Sequence, residues 1–100
     1  MKLILMNRAN RILGWAKISQ GGLIGTVVDV KIVLQIALLA NATHIALCHN
    51  HPSGNLKPSE ADIRITRNIK DACKLLEMNL LDHLIITSEG FYSFSDEGML

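Results

Sequence analysis

The chain has 100 residues with ten Lys and Arg against nine Asp and Glu, a formal net charge of +1, which argues against a protein that coats nucleic acid through charge alone. Its 49% hydrophobic and 19% charged residues are the composition of a single globular domain, residues 1–100, and not of a disordered tail. Two cysteines, Cys48 and Cys73, are too few for a disulfide framework; as thiols in apolar surroundings they fit a reducing, cytoplasmic setting.

Taken in order, residues 2–6 read as a short strand, Asn7-Arg8-Ala9-Asn10 as a turn, and residues 11–18 as a second strand completing a hairpin. Residues 19–22 (Ser-Gln-Gly-Gly) read as a loop, and Gly25 marks another irregular patch. Asp29 is placed to cap a helix over residues 30–40, whose apolar surface is interrupted only by Lys31 and Gln35. Such a helix must be covered by a sheet or by another subunit.

Residues 44–48 then form a nearly all-apolar strand of the kind found inside a sheet. After a polar loop, residues 60–77 have helical periodicity, with Ile65, Ile69, Ala72, Cys73 and Leu76 as the inward stripe. Residues 80–87 read as a strand, Ser88-Glu89-Gly90 as a tight turn, and residues 91–94 as its partner. The order predicts an α/β fold, a mixed sheet with helices packed against it. The most apolar run, residues 30–46, is broken by Lys31, Gln35, Asn41, Thr43 and His44, which predicts no membrane span and no membrane partner. Residues 1–6 are too short for a signal-peptide core.

The chemistry concentrates between residues 48 and 62. In a strand, side chains two apart point the same way, so His49 and His51 share a face while Cys48 and Asn50 take the other. Pro52, Gly54 and Pro58 stiffen or sharply turn the loop that follows, and Asp62 arrives in the first turn of the next helix. Two imidazoles and a carboxylate suit a divalent metal. His44 and His83 lack such company and read as a strand-entry residue and a structural histidine.

Asp62 also has a plain structural account. Ser59-Glu60-Ala61-Asp62 matches a helix N-terminus, with a capping side chain and an acid in the first turn. The two roles are compatible, since a first-turn aspartate is held rigidly and a metal ligand needs rigidity. Three protein ligands leave one position of a tetrahedral Zn²⁺ for water, as in a catalytic site, and bound zinc lowers the pKa of that water toward about 7. Ser59 is placed to hydrogen-bond the water or a developing oxyanion. Iron oxygenases use a comparable triad on larger β-rich scaffolds, whereas the helical His-Glu-x-x-His and the Pro-Cys-x-x-Cys pair of other zinc enzymes are absent.

His49-x-His51-Pro52, followed by Ser59-x-x-Asp62, resembles the JAMM motif of the JAB/MPN metalloprotease superfamily. His49-Asn50-His51-Pro52-Ser53-Gly54-Asn55, Pro58-Ser59, Asp62, Thr66 and Leu81-Asp82-His83-Leu84-Ile85-Ile86 resemble its bacterial RadC-like branch over essentially the whole chain. The resemblance implies a cytidine-deaminase-like three-layer α/β sandwich, one Zn²⁺ per chain on His49, His51 and Asp62, and Ser59 assisting at the metal water. It further implies hydrolysis of a peptide or isopeptide bond in a protein substrate, in proteins commonly labelled as DNA repair factors.

One element of the family pattern is missing. The general-base glutamate belongs on the strand before the hairpin turn, but no acid precedes Asp29. The pattern places it upstream of Met1, so the chain reads as N-terminally shortened, able to bind metal but weak in hydrolysis. Two alternatives stand beside this reading. The row Arg64, Arg67, Lys70 and Lys74 could serve DNA association with a vestigial metal site, although Glu60, Asp71 and Glu77 dilute its charge. The apolar helix over residues 30–40, or a first-strand edge starting at Lys2, could serve self-association as a homodimer.

Overall fold

The computed structural model describes residues 1–18, 21–22, 25–26 and 28–100. Strand β1 (Lys2–Met6) pairs antiparallel with β2 (Ile12–Lys17). Between them the Asn7 side-chain oxygen accepts from the backbone N–H of Ala9 at 2.9 Å and of Arg11 at 3.0 Å. Asn10 takes the left-handed conformation, φ 61°, which asparagine tolerates better than most residues. This is the expected hairpin.

Ser19 and Gln20 of the expected loop lie outside the described residues. Its glycines, however, form a two-residue strand β3 (Gly21–Gly22), paired antiparallel with β4 (Gly25–Thr26). Asp29 caps helix α1 (Val30–Leu39) as expected, its carboxylate accepting from Lys31 N at 2.9 Å. Strand β5 (His44–Asn50), helix α2 (Glu60–Leu75), strand β6 (Asn79–Thr87) and strand β7 (Gly90–Ser93) complete the chain.

The main sheet has five strands in the order β2-β1-β5-β6-β7. Only β5 and β6 run parallel, with α2 as their crossover; the other neighbours are antiparallel. The α/β fold with a mixed sheet is therefore as the sequence predicts. The pairing moves the exposed edge, however: β1 lies between β2 and β5, so the sheet ends on β2 and β7 and not on the strand starting at Lys2.

Leu3 lies opposite Leu47, and Leu5 opposite Ile45, so these four side chains share one face of the sheet. They join Val33 and Ala37 of α1, Ile69 and Cys73 of α2, and Leu80 of β6 in one core. Each large aliphatic side chain buried there contributes roughly 1.5–3 kcal/mol. α1 and α2 pack against each other and share this face. Of the three layers expected, the described residues supply these two; the opposite face carries Trp15, Ile86 and Phe91, all exposed. The helical stripe is shorter than its periodicity predicts. α2 stops at Leu75, and Leu76, the cap residue, is 42% exposed because the chain turns away through Glu77 at φ 56°. No helix among the described residues is long and apolar enough to cross a membrane.

Candidate metal centre

β5 ends at Asn50 and the chain continues beside β6 for one more residue, His51 N donating to the Ile86 carbonyl at 3.1 Å. This keeps His49 and His51 on one face, as alternation requires. Their Nε2 atoms lie 2.9 Å apart. Asp62, from the first turn of α2, brings Oδ1 to 3.3 Å from His49 Nε2 and Oδ2 to 3.3 Å from His51 Nε2. The side chains are 9% (His49), 19% (His51) and 14% (Asp62) exposed, so the group is shielded but reachable.

The Asp62 carboxylate is placed by the helix start. Ser59 Oγ accepts from Asp62 N at 3.0 Å, and Asp62 Oδ2 accepts from Ser59 N at 2.8 Å. The two bonds form a capping box. The cap and the convergence on the imidazoles therefore occur together. Burial pushes the Asp62 carboxyl up, but hydrogen bonding to Ser59 and the neighbouring imidazoles outweigh it, and its pKa lies below the ordinary value. Burial pushes the His49 imidazolium down, against the opposing pull of Asp62, which favours a neutral ring.

The loop fixes His51. Its Nδ1 donates to the Asn55 backbone carbonyl at 2.8 Å; a carbonyl only accepts, so Nδ1 carries a hydrogen and Nε2 is the nitrogen turned toward Asp62. Gly54 holds the turn at φ 84° and donates from N to the His51 carbonyl at 3.0 Å. Asn55 Oδ1 accepts from Lys57 N at 3.0 Å.

Two residues outside the expected group reach it. His83 is fully buried and its Nε2 lies 2.9 Å from His49 Nδ1; its Nδ1 lies 2.6 Å from Thr66 Oγ1. The ring stacks on Phe94, centroids 4.7 Å apart and planes 7° from parallel. Burial above all, then the neighbouring His49, lowers the His83 pKa to about 4, so the ring is neutral. His83 is structural, as expected, but what it supports is His49. Thr66 was visible as a helix position one turn after Asp62, on the same face. His44 starts β5 as expected, close to Asn79. Arg64, Arg67 and Lys74 of the basic row are exposed, with Lys70 partly buried.

The donor set fits a metal ion. His49, His51 and Asp62 each offer one ligand atom, all within 4.8 Å of one another. Ligands about 2.0–2.1 Å from a tetrahedral ion lie roughly 3.3 Å from each other, close to the separations here. The group stands at the carboxyl end of a strand in a parallel pair, the usual place for an α/β ligand site.

Fold and site together define a mixed-sheet α/β domain with a two-histidine, one-aspartate group that can hold a metal. The family model of the RadC-like JAB domain matches residues 1–99, and the chain belongs to that family. It is 48% identical over 97 residues to the UPF0758 protein of Flavobacterium johnsoniae, covering 97% of this chain and 42% of that protein. The UPF0758 protein of Porphyromonas gingivalis is 42% identical over 101 residues, covering 100% of this chain and 44% of that protein. That of Salinibacter ruber is 39% identical over 99 residues, covering 99% of this chain and 42% of that protein. The chain thus spans less than half the length of these curated relatives.

Proposed function

We propose that this domain holds one Zn²⁺ on His49 Nε2, His51 Nε2 and Asp62, and serves a metallohydrolase that cleaves a peptide or isopeptide bond in a protein substrate. The observation that carries the reading is the convergence of those three side chains from a strand, a loop and a helix, with separations of 2.9 to 3.3 Å. Zinc bound there would polarise a water and a substrate carbonyl. The residues themselves do the holding. The Asn55 carbonyl keeps the His51 hydrogen away from the group, and the capping box keeps Asp62 in place.

Ser59 Oγ accepts from Asp62 N, and its own hydroxyl hydrogen is the group we assign to a substrate oxygen or a water. Asp62 is committed to Ser59 N and to the imidazoles, and no glutamate joins the group among the described residues. Proton transfer, and hence turnover by residues 1–100, is therefore expected to be slow. Two free cysteines, Cys48 and the buried Cys73, support a reducing cytoplasm as the place of action. The resemblance to proteins commonly labelled as DNA repair factors is what leads us to assign that action to DNA repair.

The test is metal uptake by protein purified without chelators and then exposed to zinc. The expected content is about one zinc per chain, lost in His49→Ala and His51→Ala. Failure of the folded wild type to take up zinc overturns the reading. Zinc-loaded protein that cleaves neither peptide- nor isopeptide-linked substrates, even over long incubation, removes the hydrolytic part.

A further inference from the structure

Behind His49, three polar groups form a chain of hydrogen bonds whose direction is set by one group that can only accept. The Thr66 hydroxyl donates to the Asp62 backbone carbonyl at 2.6 Å. With that hydrogen spent, Thr66 Oγ1 can only accept from His83 Nδ1, 2.6 Å away, so His83 carries its hydrogen on Nδ1. With its Nδ1–H on Thr66, the fully buried His83 ring leaves Nε2 to accept from His49 Nδ1 at 2.9 Å. His83 thereby draws the hydrogen of His49 to the nitrogen facing the core, against the Asp62 carboxylate 3.3 Å from His49 Nε2 and the His51 Nε2 at 2.9 Å, which draw it the other way.

We infer that His83 and Thr66 are positioning residues that set the tautomer of His49, so that its Nε2 is bare and aimed at His51 and Asp62 before any metal arrives. The consequence for metal binding rests on the proposed metal centre; the proton order itself does not. His83 is fully buried, so water does not compete for its nitrogens. The Phe94 ring stacked on its face opposes a flip of the imidazole about Cβ–Cγ. Asp82 secures the strand at that point, Oδ1 accepting from His83 N at 2.7 Å and from Ser95 N at 3.0 Å, and Oδ2 accepting from Ser93 Oγ at 2.6 Å.

An imidazole free to choose its tautomer would present an N–H to the metal part of the time, and apparent affinity falls by the fraction of the competent form. Partners of a metal-bound histidine are typically worth about 10–100-fold in metal affinity. A side chain that merely filled the core would have no such effect.

The experiment combines histidine tautomers, read from long-range ¹H–¹⁵N spectra of the metal-free protein near neutral pH, with zinc affinity by competition against a chromophoric chelator. In the wild type, His49 and His83 both appear as the Nδ1–H form. Thr66→Val, which keeps the side-chain shape but removes the acceptor, shifts His49 toward the Nε2–H form. His83→Leu weakens zinc binding about 10–100-fold. His83→Gln, whose amide supplies an N–H to Thr66 and a carbonyl to His49, restores it.

Wild-type His49 in the Nε2–H form overturns the inference, as does unaltered zinc affinity in folded Thr66→Val and His83→Leu. If His83→Leu fails to fold, Thr66→Val and His83→Gln decide the matter. If the wild type takes up no zinc, the proposed metal centre fails, and the metal-free spectra still decide the proton order.

Discussion

The two imidazoles at the end of β5 are two residues apart on one face, yet different parts of the molecule hold them. His49 is held by side chains of the core: His83, itself fully buried and stacked on Phe94, with Thr66 behind it. His51 lies past the last residue of the strand and is held by main chain, the Asn55 carbonyl of a loop that turns at Gly54. One half of the group should therefore respond to side-chain changes made well behind it. The other should respond to backbone conformation and ignore most side-chain changes in its loop.

The largest effect expected is shared by both halves. His49→Ala or His51→Ala leaves two protein ligands, and zinc uptake measured by elemental analysis falls below stoichiometric; retention in either variant would break the symmetry of the pair. Next comes Phe94→Ala, which removes the wall behind His83 in a site 1% exposed. It should cost about 3–5 kcal/mol in denaturant unfolding and weaken zinc binding through His49, with the His51–Asn55 bond intact by NMR.

On the loop side, Gly54→Ala meets no atom within 4 Å but must adopt φ +84°. The strain costs about 1–2 kcal/mol, and relieving it moves the carbonyl that holds His51. Zinc affinity should fall with no change at His83.

The core half also carries a signature at high pH. Burial raises the Cys73 thiol to about 11, against 9.0 for an unperturbed thiol. Between those values the unfolded chain releases a proton that the folded chain retains. Its contribution to stability is thus complete below pH 9 and declines as pH rises toward 11, by on the order of 1 kcal/mol at pH 10. Cys73→Ala should remove that part of the slope from the pH dependence of unfolding. The smallest effect is expected for Asn55→Ala, which removes one exposed bond to Lys57 N but keeps the carbonyl. A change within about 0.5 kcal/mol and unaltered zinc affinity would confirm that the loop holds His51 through its backbone.

The metal group was legible because it is written in local spacing. Alternation puts His49 and His51 on one face, and a helix start puts Asp62 one turn into α2. The caps at Asp29 and Ser59 were legible for the same reason. The partnership of His83 with His49 was not, because it depends on a pairing shift. Ile45 pairs with Leu80, but Ala46 pairs with Asp82, so Leu81 is an extra residue in β6. Simple alternation from the buried Leu80 would turn Asp82 and Leu84 inward and His83 out. The bulge reverses the phase, and His83 and Ile85 are the fully buried residues. The central position of β1 was hidden in the same way: that it pairs with β5 as well as β2 is a long-range fact absent from its five residues. Leu76 misled because periodicity continued past the point where Glu77 turns the chain.

The most direct test of the account is anomalous diffraction at the zinc edge from crystals of this domain soaked in zinc. The account predicts one peak per chain, about 2.0–2.2 Å from His49 Nε2, His51 Nε2 and an Asp62 carboxylate oxygen. Crystals that show no peak there, or a peak elsewhere with these three side chains still in their present contacts, would contradict it.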